Sequence, residues 1–276
     1  MIFNNIFENK DEFAKLKIHI QSSKEYEFLN TNKHLGNNIA LLTLGGSYSY
    51  GLNTESSDID VRGVALNSKE DILTYNDFET IVDSNTDTTI YSFMKFMNLL
   101  RRGNPNTIEL LGCKDYLYIS DVGQHIIDNK NIFITKHLIS SYKGYIYDTN
   151  NIIRSTRIEA YTETTNTLKH KTSKRMRELA RLYYTAIDIL SKGEIIIYRK
   201  DNKEEYEFLK AVQNGEYLKL AGKYYVINSD YFSIINILNS KFNTLCEHNN
   251  LPNQVNIGKY NKLIQDINLQ QILNNG

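Results

Sequence analysis

LGGSYSYGLNTESSDIDVRGV, Leu44 to Val64, carries more chemical information than any other segment of the chain. Just ahead of its glycines, Ile39 to Leu44 is an apolar run with the length of a buried strand. Gly45-Gly46-Ser47 ends that run with residues that let the backbone turn tightly and come close to a ligand. The N–H groups of a turn that opens a helix cradle an anion, and the Ser47 hydroxyl adds a donor at the same place. After ten intervening residues come Asp58 and Asp60. Ile59, Val61, Val64 and Leu66 predict a second strand, on which two acids spaced by two share one face. Carboxylates held that close repel, and a divalent cation bound by hard oxygen ligands is the usual relief. An anion cradle followed by paired acids points to nucleotide chemistry.

Gly46-Ser47, a spacer, and Asp58-Ile59-Asp60 resemble the signature of the nucleotidyltransferase superfamily related to DNA polymerase β. The longer string resembles one branch more closely, the predicted nucleotidyltransferases associated with RNA-ligase repair pathways (RlaP-like). Its pattern is matched by Tyr50-Gly51, Ser57-Asp58-Ile59-Asp60, Arg62-Gly63 and, further on, Gly103-Asn104-Pro105. The resemblance implies an α+β fold: a polymerase β-like palm, a mixed sheet flanked by helices, followed by a mainly helical C-terminal domain. It also implies a third acid on a strand beside the Asp-x-Asp strand. Asp87 in TDTTIYS fits that position best; Asp83 is the rival for it, although a turn carboxylate bonding its own backbone is the readier reading of Asp83.

Lys plus Arg equal Asp plus Glu at 32 each, so any affinity for nucleic acid must come from a local patch and not from overall charge. An apolar fraction of 41% is ample for a buried core. Cys113 and Cys246 lie far apart without CxxC spacing. With neither a signal peptide nor an apolar run of membrane-spanning length in view, a cytoplasmic protein with no membrane partner is the expectation.

Taken in order, residues 1–38 predict one helix and a loop, and Tyr48 to Asn53 begins the turn or helix of the phosphate site. Ser68 with Asp71 three residues on predicts a capped helical turn. Phe78 to Val82 and Thr88 to Tyr91 read as a hairpin around Asp83, Ser84 and Asn85. Tyr91 to Arg102 is an amphipathic helix stopped by Gly103, and Asn104-Pro105 caps the next one, in which Glu109 reads as structural. Beyond about residue 125 the short strands give way to helical periodicity, which sets the expected domains at 1–125 (catalytic) and 126–276 (helical, closing the nucleotide cleft). The tail from Tyr224 reads as helical scaffold.

From about Thr172 to Leu190, Met176, Leu179, Ala180, Tyr183, Ile187 and Leu190 make one apolar helical face, with Lys174, Arg177 and Arg181 opposite. Three cations in two turns are commonly a solvated face. The resemblance gives them another role, since in related enzymes a basic helix of the second domain faces the cleft and neutralises nucleotide phosphates. His170 is either part of that patch or an exposed bystander.

The expected chemistry follows from the resemblance. Asp58, Asp60 and Asp87 would be both catalytic residues and ligands of two Mg²⁺ or Mn²⁺ ions, and Gly46, Ser47, Lys174, Arg177 and Arg181 would bind the NTP. Arg62 either orients substrate or forms a strand-edge ion pair. The acceptor implied is an RNA end. A nucleotidyltransferase that modifies protein or tRNA, and a nucleotide-binding module without turnover, are the alternatives, because fold does not fix the acceptor. A methyltransferase-like glycine loop is disfavoured by the order of elements after it.

Overall fold

A computed structural model describes residues 12–274, and the expectations that fall on residues 1–11 and 275–276 lie outside the described residues. Two helices, α1 (Glu12–Ser22) and the single turn α2 (Phe28–Thr31), precede β1 (Ile39–Leu44), which is buried along its whole length. A one-turn helix α3 (Gly46–Ser49) opens at the glycine pair, and β2 (Val61–Ala65) follows. Next come α4 (Lys69–Thr74), held by the Ser68/Asp71 capping box, and the hairpin of β3 (Thr80–Asp83) with β4 (Thr88–Ser92). Helix α5 (Phe93–Arg101) ends at Gly103, and Asn104 accepts from the Thr107 N–H to start α6 (Pro105–Leu110) with proline in its first turn. A short β5 (Tyr118–Ile119) completes a five-stranded sheet in the order β3-β4-β2-β1-β5. Only the β2–β4 pair is parallel, so the sheet is mixed, as expected.

Both faces of this sheet are covered, which is why β1 reads as continuous apolar sequence and not as an alternation. Leu42, Leu44, Val61 and Ile90 pack with Ile20, Tyr26 and Leu29 on one side. Leu41 and Val64 join Phe93, Phe96 and Leu100 on the other, in a core that continues without a break into the C-terminal helices.

Those helices are α7 (Asp121–Asp128), α8 (Lys136–Ser155), α9 (Thr165–Lys192), α10 (Lys203–Gln213), α11 (Ser229–Glu247) and α12 (Ile257–Asn274), with β6 (Ile158–Glu159), β7 (Leu218–Ala221) and β8 (Tyr224–Ile227) among them. The 28-residue α9 is the axis of this half, enclosed by α8, α10 and α11. Two expectations are corrected here. Strands do not stop near residue 125, because β6, β8 and β7 form a second, three-stranded sheet. Tyr224, read as the start of helical scaffold, opens β8, since the left-handed turn at Gly222 folds β8 back onto β7. Among the described residues no helix is long and apolar enough to cross a membrane.

Candidate functional site

Strand register brings the sequence motifs together. Leu44 pairs with Val61 across the antiparallel β1–β2 ladder, so Gly45 stands beside Asp60, and the Gly45 N–H donates to the Asp60 carbonyl at 2.8 Å. Val61 pairs with Thr88 across the parallel β2–β4 ladder, so Asp87 stands on the other side of Asp60. The Val61 N–H donates to the Asp87 carbonyl at 3.2 Å. Glycine turn, Asp60 and Asp87 therefore lie in a row across three neighbouring strand ends, about 4.8 Å apart per step. β2 begins only at Val61, so Asp58 and Asp60 occupy the extended approach to the strand and not the strand itself. The expectation of a strand that already carries both acids is corrected, since β2 starts one residue after Asp60, where Thr88 at the start of β4 supplies its partner.

Gly46 has φ +54°, and a Cβ there would lie 1.7 Å from Asp60 Oδ2. Only glycine lets the turn press this closely on the carboxylate. We expect Gly46→Ala to lose about 1–2 kcal/mol from the left-handed backbone alone and to displace Asp60 as well. Thermal unfolding of the variant checks the first part, and wild-type stability would show that turn and carboxylate are not in contact.

Asp60 and Asp87 perturb one another directly. Burial, then the hydrogen bond and charge of Asp87, push the Asp60 carboxyl up to about 7, against the pull of Arg62 and Lys174. Asp87 moves down, chiefly because it accepts that hydrogen bond. Arg62 bridges the pair, with Nη2 at 3.6 Å from Asp60 Oδ1 and 3.1 Å from Asp87 Oδ1. Its Nη1 donates to the Val61 carbonyl at 3.0 Å and also to the Asp87 carbonyl. Asp83, the rival third acid, is committed to its turn: its Oδ1 accepts from the Asn85 and Thr86 N–H groups and from the Thr86 hydroxyl. Asp87 has a positive φ of 43°, a conformation that aspartate tolerates better than most residues.

A cleft of about 270 Å³ lies in front of these groups. Its sheet side carries Gly46, Ser47, Asp58, Asp60 and Asp87, and its opposite wall is α9, with His170, Lys174, Arg177 and Arg181 at helical spacing. The Ser47 hydroxyl has no hydrogen-bond partner among the described residues. Among the described residues no three His, Cys, Asp or Glu side chains are gathered tightly enough to hold a metal ion, so Asp58 shares the cleft with the Asp60–Asp87 pair without being drawn against it. A second cavity, of about 220 Å³, shares Gly46, Tyr50 and Asp60 with the cleft and is lined also by Arg62, Tyr91 and Asn106.

The α9 cations differ in burial along the wall. Lys174 is exposed, Arg177 is half-buried with its pKa lowered by burial and by Arg181, and Arg181 is buried. Arg181 is therefore not part of a solvated face. It pairs with Glu109 of α6 and stacks 4.1 Å over the Tyr50 ring, and the Tyr50 hydroxyl donates to the other Glu109 oxygen at 2.8 Å. Burial opposes the Arg181 charge, but the Glu109 carboxylate outweighs it and raises the pKa. The helical wheel could not foresee this, because the partner is 72 residues away.

Two further features had no sequence signal. Arg199 is 1% exposed and pairs with Asp188 at 2.6 Å and Glu205 at 2.8 Å. Its own N–H donates to the Tyr50 carbonyl at 3.0 Å, which ties the strap after α9 to the glycine turn. That strap, Glu194 to Tyr198, is extended without a ladder. Gln213 at the end of α10 lines the cleft with a buried, unpartnered amide oxygen.

A family model described as RlaP, the RNA repair pathway DNA polymerase beta family, matches residues 19–184. That span runs from α1 past Arg181. A protein of Enterobacteria phage T4, described as an uncharacterized 38.9 kDa protein in the nrdC-mobD intergenic region, is 29% identical over 116 residues. The match covers 37% of this chain and 34% of that protein, about a third of each.

Proposed function

Because the chain belongs to the RNA repair pathway DNA polymerase β family, we propose that it moves a nucleoside monophosphate from an NTP to a hydroxyl at an RNA end. The acceptor oxygen bonds to the α-phosphorus, the bond from that phosphorus to the β-phosphate oxygen breaks, and pyrophosphate leaves with the electron pair. The observation that carries this reading is the Asp60–Asp87 pair, set beside a glycine turn and facing a row of cations across one cleft.

Two adjacent carboxylates, Asp60 and Asp87, offer hard oxygen donors of the kind divalent cations take, and Asp58 would have to close on that pair to complete the set. Burial and the neighbouring Asp87 disfavour the charge on Asp60, which added positive charge would relieve, and Asp58 lines the same space. Asp58, Asp60 and Asp87 would hold Mg²⁺ or Mn²⁺, which when bound would supply positive charge to the reacting phosphate and lower the pKa of the attacking hydroxyl. Gly46 and Ser47 would meet the distal phosphates, with the unpaired Ser47 hydroxyl as donor. Lys174 and Arg177 would offset phosphate charge from the opposite wall, as general positioning and charge neutralisation require. Arg181 contributes from behind by holding Tyr50. Arg62 keeps the two strand-end acids in place, and Gln213 offers the nucleotide an amide.

The test is incubation of the purified chain with each α-labelled NTP, divalent cation, short RNAs, tRNA and total protein. Label on an RNA end is expected. It should be lost in Asp58→Ala and in Asp87→Ala but retained in Asp83→Ala, which only weakens a turn. Label confined to protein would move the acceptor away from RNA, and label equally strong in Asp87→Ala and wild type would refute the third-acid role.

A further inference from the structure

A groove of about 450 Å³ lies behind α9, on the side turned away from the cleft. Thr172 is in its wall, whereas His170 and Lys174, two residues to either side, line the cleft. At about 100° per residue, two steps carry a side chain to the opposite side of a helix. Groove and cleft are thus separated by the thickness of one helix, about 10 Å.

The groove arises where the second sheet comes apart. β6 pairs with β8 only at Ile158 with Tyr225 and Glu159 with Tyr224. One step earlier Arg157 would face Val226, but α8 has ended at Ser155 and no ladder forms, so the chain diverges and leaves a gap. Tyr224, Tyr225 and Phe232 line this gap. Each ring carries a cation: Arg154 at 5.3 Å over Phe232, Lys169 at 4.2 Å over Tyr225 and Lys223 at 5.2 Å over Tyr224. Arg154 and Arg157 line the groove and no carboxylate does. Arg157 is exposed and has no acidic partner among the described residues. In a chain of zero net charge this is a local excess of positive charge on an aromatic floor.

Aromatic rings flanked by cations are what single-stranded nucleic acid uses, with bases stacked on the rings and phosphates on the charged heads. We propose that this groove holds a single-stranded stretch of the RNA whose end lies in the cleft, a site that rests on the transferase reading above. A strand leaving the cleft would round the N-terminal half of α9, where Lys171 is exposed and Lys169 half-buried. Paired bases would bury the faces that the rings need, so a duplex would bind the groove poorly.

The experiment measures fluorescence anisotropy of labelled 4-mer and 15-mer RNAs on the full chain at several salt concentrations, beside transfer of labelled NMP to a dinucleotide. Arg154→Glu/Arg157→Glu is the variant, with Arg154→Gln/Arg157→Gln as a milder pair; both side chains are exposed, and circular dichroism checks the fold. The 15-mer should bind more tightly than the 4-mer and lose about tenfold or more in the variant. The slope of log affinity on log salt should fall by about 0.7 per phosphate contact removed. Transfer to the dinucleotide should be unchanged. Equal 15-mer binding by wild type and variant, no binding by either, or duplex competing as well as single strand would each overturn the groove; with dinucleotide transfer intact, the transferase reading would survive. Variant-sensitive 15-mer binding without transfer to any RNA would keep the groove and sink the transferase reading.

Discussion

Asp60→Asn should make the protein more stable above pH 7 and abolish the proposed nucleotidyl transfer. The Asp60 side chain is 19% exposed and its carboxyl is raised from the ordinary 3.8 to about 7, so the folded state binds that proton more tightly than the unfolded chain does. Below about pH 4 both states hold the proton and the stabilising effect is complete. As pH rises through 7 the folded state loses it and the benefit disappears, leaving two carboxylates side by side. Asparagine keeps the shape with no proton to lose. The variant should therefore match wild type near pH 4 and exceed it by about 1–2 kcal/mol at pH 8, less than the full shift because Asp87 moves the other way. Transfer should fall by about 10³-fold or more, the upper end of what loss of one preorganised charged group costs. Urea unfolding across pH, with divalent cation withheld, gives the first half, and labelled-NTP transfer the second. A variant less stable than wild type at pH 8 would show that Arg62 and Lys174 already compensate the pair.

Arg181→Ala should cost about 3–5 kcal/mol, because removing one partner of a buried ion pair strands the other charge. Arg181 and Glu109 side chains are 7% and 8% exposed, so water does little to rescue the remaining carboxylate. Replacing both, as Arg181→Met with Glu109→Leu, should cost much less than the two single changes summed, apart from about 1–3 kcal/mol for the Tyr50 hydroxyl left without its acceptor. Adding Tyr50→Phe should recover most of that. Urea denaturation of the single, double and triple variants checks this order. Strict additivity would show that the three side chains do not act as a unit.

Much of this was legible in the sequence because local signals carried it. Ile39 to Leu44 is a strand with the bounds its apolar run suggested, and the Ser68/Asp71 cap and Asn104-Pro105 start are settled within a few residues. The gathering of Gly46, Ser47, Asp58, Asp60 and Asp87 around one cleft follows from motifs that already lay at strand ends. What was not legible depends on distant partners. Arg181 was legible only as one of three cations on a helix face, free for phosphate or for solvent, and its buried pairing with Glu109 of α6 was not. Arg199 shows no pattern of its own, and its place is fixed by Asp188 and Glu205 on two different helices. The β7–β8 hairpin was missed because its four-residue strands alternate poorly: Leu218 is buried, while Lys219, Leu220 and Ala221 are all exposed.

The strap that ties Arg199 to Tyr50 has a thermodynamic consequence for whatever enters the cleft. Helix α9 and the glycine turn are held at a fixed separation by one backbone hydrogen bond, anchored in turn by a buried guanidinium with two carboxylate partners. Because that tie is made before any ligand arrives, a ligand would spend little of its binding free energy on ordering these two walls. Affinity for an anionic ligand would then track the charges on the walls directly.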